Sequence, residues 1–377
     1  MVKARGKAAQ FFEIAGIVAA ATVGDGVFAL PFVFYVAGWA VGLAYLAILG
    51  LFVVVAHVVY LETLEKEGEK ERLLGLAEHH FGRFGFWLGF LAIVIGLLLT
   101  LVAYLILGTN FIGLALPGVP TAYAFIVFWV FISAIALASD KELRALELTG
   151  IACTSAIIVI IFFSAWPNIL FPGVPAINPQ NIFLPFGAIL FSLAGWTSIE
   201  PAYEARKKHE RKSNSPWRAL AMGTLFAALL YAMFASGIIG SATSAMITPD
   251  TASGLAAWPL WKKDLLAALG LLAVATVYLP ISREIKNSLE KDLHWPKGSS
   301  RPLVVLLPPI LIFLGLNNFL AVVGLVGGAF LSLQYLLIIS VGRKSLKLNL
   351  AQGILLDLIG AVFIIAAVYS VYAFVVR

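Results

Sequence analysis

"AATVGDGVFALPF", Ala20 to Phe32, decides the fold. The chain on either side is apolar enough to cross a bilayer, yet this stretch holds Gly24, Gly26, Pro31 and an ionisable Asp25. Glycine tolerates non-helical backbone, and proline removes a helix donor, so the segment is expected to unwind here. A carboxylate within the hydrocarbon costs about 2.5 to 3.5 kcal/mol and marks an ion, proton or substrate pathway.

The whole chain repeats the apolar theme. Its 377 residues are 61% hydrophobic and 12% charged, with a mean hydropathy of +0.97. That composition excludes an ordinary soluble domain and defines an all-α polytopic membrane protein. The net charge of +6 does not point to nucleic acid, because the basic residues sit in short loops between apolar runs. One cysteine, Cys153, precludes a disulfide within the chain and reads as a small buried hydrophobe. The basic and apolar start of the chain, which superficially resembles a signal peptide, reads as the first span because it runs on into the Gly-Asp-Gly break.

Runs of membrane-spanning length give eleven transmembrane helices in one domain, 1–377. Five lie within 9–166, five within 183–341, and an extra helix covers 350–376. The third, Phe84 to Leu116, is long, and the ninth, Pro302 to Leu316, is short and contains Pro308 and Pro309. Lys and Arg concentrate on one side, from Lys3, Arg5 and Lys7 to Arg343, Lys344 and Lys347, whereas the other side keeps only Lys262, Lys263 and Arg377. This bias predicts a cytoplasmic N-terminus and a C-terminus outside. Two equal sets with an odd number of spans enter the membrane with opposite polarity, as inverted five-helix repeats do. The first span of each set looks interrupted, the second at "FSLAGWTSIEP", Phe191 to Pro201. Paired breaks at corresponding positions of two repeats point to a binding site at the bilayer midplane.

The chemistry of such breaks follows from their bare backbone. Resumed half-helices near Val27 and Thr197 offer N–H groups and a positive dipole end to an anion. Carbonyls ending the first halves, near Thr22, Val23 and Ser192, suit a cation or an ammonium group. Close helix packing is the bland alternative for Gly24, Gly26 and Gly195. Asp25 either holds a cation or a substrate amine, takes up a coupling proton, or caps the resumed helix. In the third span Thr100, Tyr104 and Gly108 fall on one stripe, with Tyr104 either bonding substrate or packing between helices. Thr276, in the eighth span, supplies a hydroxyl to a sodium ion shared with Thr22 and Val23, or bonds its own helix. Glu200 and Glu204 follow the second break, within reach of gating pairs with Arg206 or Lys207, and solvated surface charge is the plainer reading of Glu204. The repeat Gly324, Gly328 and Ser332 reads as helix packing.

Other chemistry is thinly represented. His57, His79, His80, His209 and His294 are scattered, with His79 and His80 adjacent in a predicted loop. No Gly-rich phosphate loop followed by Lys-Ser/Thr occurs, so ATP-driven transport by this chain is not expected. Neither a catalytic cluster nor a filter motif is visible, which argues against a membrane-embedded enzyme or a channel.

"TVGDGVFALPFVF" resembles the Gly-x-Gly break in the first span of the amino acid-polyamine-organocation (APC) transporter superfamily, and "ILFSLAGWTSIEPAYEARKK" is similar to its sixth. "DKELRALELTG" and "LPISREIKNSLEKDLHWPK" resemble loops of the amino acid/auxin permease and aromatic amino acid permease branches. The resemblance implies two inverted five-helix repeats plus one helix, with helices 1 and 6 discontinuous. It implies secondary, ion-coupled transport of amino acids or, alternatively, of polyamines or other organic cations, with a sodium ion or a proton as coupling ion and no further cofactor. By motif position it implies substrate contacts at Val23, Gly24, Asp25, Gly26, Ser192, Ala194 and Gly195, with Tyr104 beside them. Asp25 departs from the family pattern, in which that residue is small or apolar. The fifth span lacks the lysine that some relatives use for proton coupling. The expected partners are a small-molecule substrate and lipid, in a prokaryotic plasma membrane, with no nucleic acid and no obligatory protein.

Overall fold

A computed structural model describes residues 2–68, 72–137, 140–166, 173–208, 216–243 and 246–376, without the side chains of 2–7, 25, 140–148, 256 and 257. Among the described residues the chain is helical throughout, with no strand. The first half comprises α1 (Val2–Thr22), α2 (Leu30–Ala37), α3 (Trp39–Glu67), α4 (Leu73–Gly89), α5 (Gly96–Ala115), α6 (Thr121–Ala136) and α7 (Asp140–Ser164). The second comprises α8 (Pro185–Ser192), α9 (Ile199–Lys208), α10 (Pro216–Ser241), α11 (Leu260–Asn287), α12 (Ser300–Phe313), α13 (Phe319–Leu325), α14 (Ser332–Ser345) and α15 (Leu350–Val376).

Six helical stretches have the length and composition to cross a membrane: Trp39–Glu67, Leu73–Ala115, Pro216–Ser241, Leu260–Asp292, Phe319–Ser345 and Leu350–Val376. A seventh appears if the pair Ala8–Thr22 and Gly26–Ala37, bent by 53°, counts as one span. Thr121–Ala136, Thr149–Ser164 and Ser300–Phe313 are shorter apolar helices. This is an integral membrane protein.

Both expected interruptions exist. After α1 the backbone is extended at Gly24 (φ −139°, ψ −161°), makes a 3₁₀ turn over Asp25–Ala29, and resumes as α2 with Pro31 in its first turn, where a missing N–H costs least. After α8 the chain turns through Leu193 and Ala194 to Gly195, then forms a 3₁₀ turn, Trp196–Ser198, that leads into α9. The breaks touch. A β-carbon built on Gly26 would stand 2.6 Å from the Cα of Ser192, and one on Gly195 would strike the Thr22 hydroxyl. Glycine is therefore required by the close approach of two backbones.

α1 packs along α10, and α5 packs along α11. The uncharged stretch after α7 docks on the tight turn at Gly38 (φ 105°), with Asn178 N–H donating to the Ala37 carbonyl at 2.8 Å. Prolines in spans are accommodated locally: Pro309 cannot donate to Val305, and the Trp129 indole N–H donates to that carbonyl instead, at 2.9 Å.

Several expectations need correction. Cys153 is exposed on α7 and not a buried hydrophobe. The third span starts near Phe84 as expected, because α4 is kinked at Gly82 (φ 60°, ψ −145°), and it runs on through a π-helical stretch, Phe90–Ile95, into α5. His79 and His80 lie in the short helical stretch of the connector that ends at the Gly82 kink. Gly108 leaves the proposed stripe, because a β-carbon there would strike the ring of Phe128 on α6. Gly328 packs as expected, against Ser370 of α15.

Candidate functional site

The two breaks enclose a cavity. Thr22, Gly24 and Gly26 line it from the first break, and Ser192, Ala194, Trp196 and Thr197 from the second. Thr100 and Tyr104 of α5 and Val277 and Pro280 of α11 close it. The space among these residues, open solvent included, is about 500 Å³, of which about 30 Å³ admits the centre of a water molecule. Since one water needs about 10 to 15 Å³ by that measure, this conformation is tight and its walls must part to admit an amino acid.

Of the residues expected at the site, Thr22, Gly24, Gly26, Tyr104, Ser192 and Ala194 are brought together around this cavity. Val23 and Gly195 stand behind its wall; Val23 closes the last turn of α1, its N–H donating to Ala19 at 2.8 Å. The Asp25 side chain lies outside the described residues. Thr276 is buried next to the cavity, with its hydroxyl donating to the Ala273 carbonyl at 2.9 Å and its methyl group against Gly150. Four residues on, Pro280 has no N–H for the Thr276 carbonyl, so the helix leaves that oxygen without its usual partner. The Thr22 and Ser192 hydroxyls turn back to Val18 and Ala188, each at 2.8 Å, as such side chains do inside helices.

Sequence reasoning missed the polar groups that support the second break. The Trp196 indole donates to Gln334 Oε1 at 2.5 Å, and Gln334 Nε2 donates to the carbonyl of Ala92 at 2.7 Å in the π-helical stretch before α5. Tyr231 of α10 bonds the carbonyls of Thr22 and Ser192. Glutamine in an apolar span was the one readable signal; a tyrosine among many aromatic residues gave none.

On the basic side, α9 is fastened to its neighbours. Arg72 Nη1 lies 2.7 Å from Glu200 Oε2 and 3.1 Å from Glu284 Oε2, and Tyr60 donates to Glu200 Oε1 at 2.9 Å. Glu200 therefore pairs with Arg72, and not with Arg206 or Lys207 as the sequence allowed. Arg206 binds Glu65 instead, while Glu204 is exposed as expected. Burial opposes the charge on Arg72, but the Glu200 and Glu284 carboxylates outweigh it and raise its pKa. On the opposite side Asp250 accepts from Asn110 Nδ2 at 2.7 Å and Thr248 Oγ1 at 2.9 Å. Next to it, Thr251 (φ 58°) donates its hydroxyl to the Phe28 carbonyl at 2.5 Å, seating the loop before α11 on the resumed half of the first span.

A helical membrane body with a central cavity between two interrupted helices is the architecture of a membrane transporter. A family profile described as transmembrane amino acid transporter protein matches residues 8–376, and the chain belongs to that family. Among solved structures, Mhp1, a nucleobase-cation-symport-1 family transporter in a closed conformation with bromovinylhydantoin bound, aligns with a TM-score of 0.64 at 13% identity, covering 95% of this chain and 90% of that one. A manganese transporter of Eremococcus coleocola, in complex with an aromatic bis-isothiourea substituted compound, aligns at 0.59 and 14% identity, covering 97% and 86%. No curated protein matches the chain.

Proposed function

We propose that this protein is a secondary active transporter of a small amino acid, working by alternating access, with substrate held where the two interrupted helices unwind. The observation that carries this reading is a cavity bounded by Thr22, Gly24 and Gly26 on one side and Ser192 and Ala194 on the other. Backbone freed at two helix breaks beside one space suits a zwitterion, and Tyr104 adds a phenol at its edge. On this reading eleven spans form inverted repeats over 9–166 and 183–341 with an extra helix over 350–376, the N-terminus is cytoplasmic, and the C-terminus is outside a prokaryotic plasma membrane. Val23, Gly195 and Asp25 complete the substrate shell. Coupling uses either a proton on Asp25 or a sodium ion at Thr22, Val23 and Thr276, where Pro280 leaves a carbonyl free.

Transport of polyamines or other organic cations is the second reading, and a carboxylate between Gly24 and Gly26 favours it. Uptake of radiolabelled amino acids and amines into proteoliposomes, with and without sodium and at two pH values, tests both. Saturable uptake with counterflow is expected; currents far above carrier turnover would make the protein a channel, and silence with every solute would remove the transport reading.

A further inference from the structure

One side chain from a third helix reaches the carbonyl ends of both breaks. Tyr231 of α10, fully buried, directs its hydroxyl at the carbonyl oxygen of Thr22, the last residue of α1, and lies 2.7 Å from that of Ser192, the last residue of α8. At these two points an interrupted helix runs out of N–H groups, and carbonyls so placed in membrane carriers coordinate a cation. A phenol brings one proton and no charge. It satisfies one carbonyl fully or both in part, so two acceptors compete for a single donor.

We propose that Tyr231 stands in for a cation at this point. It is a positioning residue that ties the ends of α1 and α8 together through a shared proton. The proposal deepens the reading of the two breaks as the substrate site, and rests on it. Its consequence is specific: while the hydroxyl is in place it holds one lone pair of the Thr22 carbonyl, and a sodium ion coordinates that oxygen more strongly when Tyr231 withdraws. When the half-helices part in the transport cycle, the proton follows one carbonyl and releases the other, so the tie opens without a buried charge being created.

The test uses full-length purified protein, measured for uptake in proteoliposomes and for thermal midpoint in detergent, each in sodium, potassium or N-methylglucamine chloride at fixed pH. Tyr231→Phe removes only the hydroxyl. It is expected to raise KM roughly tenfold in N-methylglucamine, with sodium restoring part of the loss and raising the midpoint more than in wild type. Tyr231→Lys, which carries N–H donors to about the same reach, is expected to keep KM within about threefold of wild type in every salt, and decides the matter if the phenylalanine form is not recovered. Wild-type KM and salt response in Tyr231→Phe would overturn the proposal, because the ring alone would then suffice, as would a loss that neither sodium nor the lysine form repairs. If wild type takes up no amino acid, the substrate reading has failed, and the sodium response of the Tyr231→Phe midpoint against wild type still decides the role of Tyr231.

Discussion

Gly26 has no space for a side chain, because the Ser192 backbone occupies it at 2.6 Å from where a β-carbon would sit. Gly26→Ala is expected to push the two breaks apart and reduce uptake at least roughly tenfold, since backbone cannot step aside as a flexible side chain can. Uptake kinetics with a matched thermal midpoint measure this; wild-type KM in the alanine variant would show that the breaks need not touch. Gly24 faces a softer neighbour, Val277 Cγ1 at 2.6 Å, so Gly24→Ala should be repaired by Val277→Ala, whereas no second-site change of side chain should rescue Gly26→Ala. Asp25→Asn removes the charge and keeps the shape. It is expected to abolish uptake or change its pH and cation dependence, and unchanged coupling would take Asp25 out of the mechanism.

At the scale of elements, α9 is short and is held at its ends by neighbours rather than by its own length. One guanidinium, Arg72, is shared between two nearly buried carboxylates, Glu200 and Glu284, that come from α9 and α11. Arg72→Ala leaves both without that guanidinium. Because the Arg72 side chain is 21% exposed, the expected loss of stability is about 1 to 3 kcal/mol, below the cost of opening a fully buried pair. Thermal denaturation measures it, and a variant as stable as wild type would show that water already screens the cluster. Trp129→Phe, which orphans the Val305 carbonyl beside Pro309, is expected to cost about 1 to 3 kcal/mol by the same measurement. Both breaks were legible in the sequence, since Gly-Asp-Gly and Ala-Gly-Trp-Thr-Ser in apolar runs have few structural readings. The partners of Arg72 and Tyr231 were not legible. Arg72 looked like loop charge and Glu284 like one carboxylate among many, and only the folded chain brings residues 212 positions apart to 3.1 Å. The exposure of Cys153 was missed for a related reason: in a membrane an apolar run faces lipid and core alike, so apolar periodicity no longer tells inside from outside.

At the scale of the whole molecule, the cavity lies between two sets of polar contacts, Arg72 with Glu200 and Glu284 at one end and Asp250 with Asn110 and Thr248 at the other, so each end has its own bonds to break. The single native cysteine, exposed on apolar α7, is expected to resist membrane-impermeant maleimide in intact membranes, which leaves a silent background for introduced thiols. In that background Lys66→Cys should label only from the basic, cytoplasmic side and Lys262→Cys only from outside; labelling of both from one side would contradict the topology. The most direct test of the central claim, that a solute is gripped where two unwound helices meet, is counterflow of a radiolabelled amino acid in proteoliposomes by wild type and by Gly26→Val. Wild type should show saturable uptake accelerated by internal unlabelled substrate, and Gly26→Val, recovered with a cooperative thermal transition but with its two breaks driven apart at Ser192, should show none. Equal counterflow in both would place the solute elsewhere and contradict the claim.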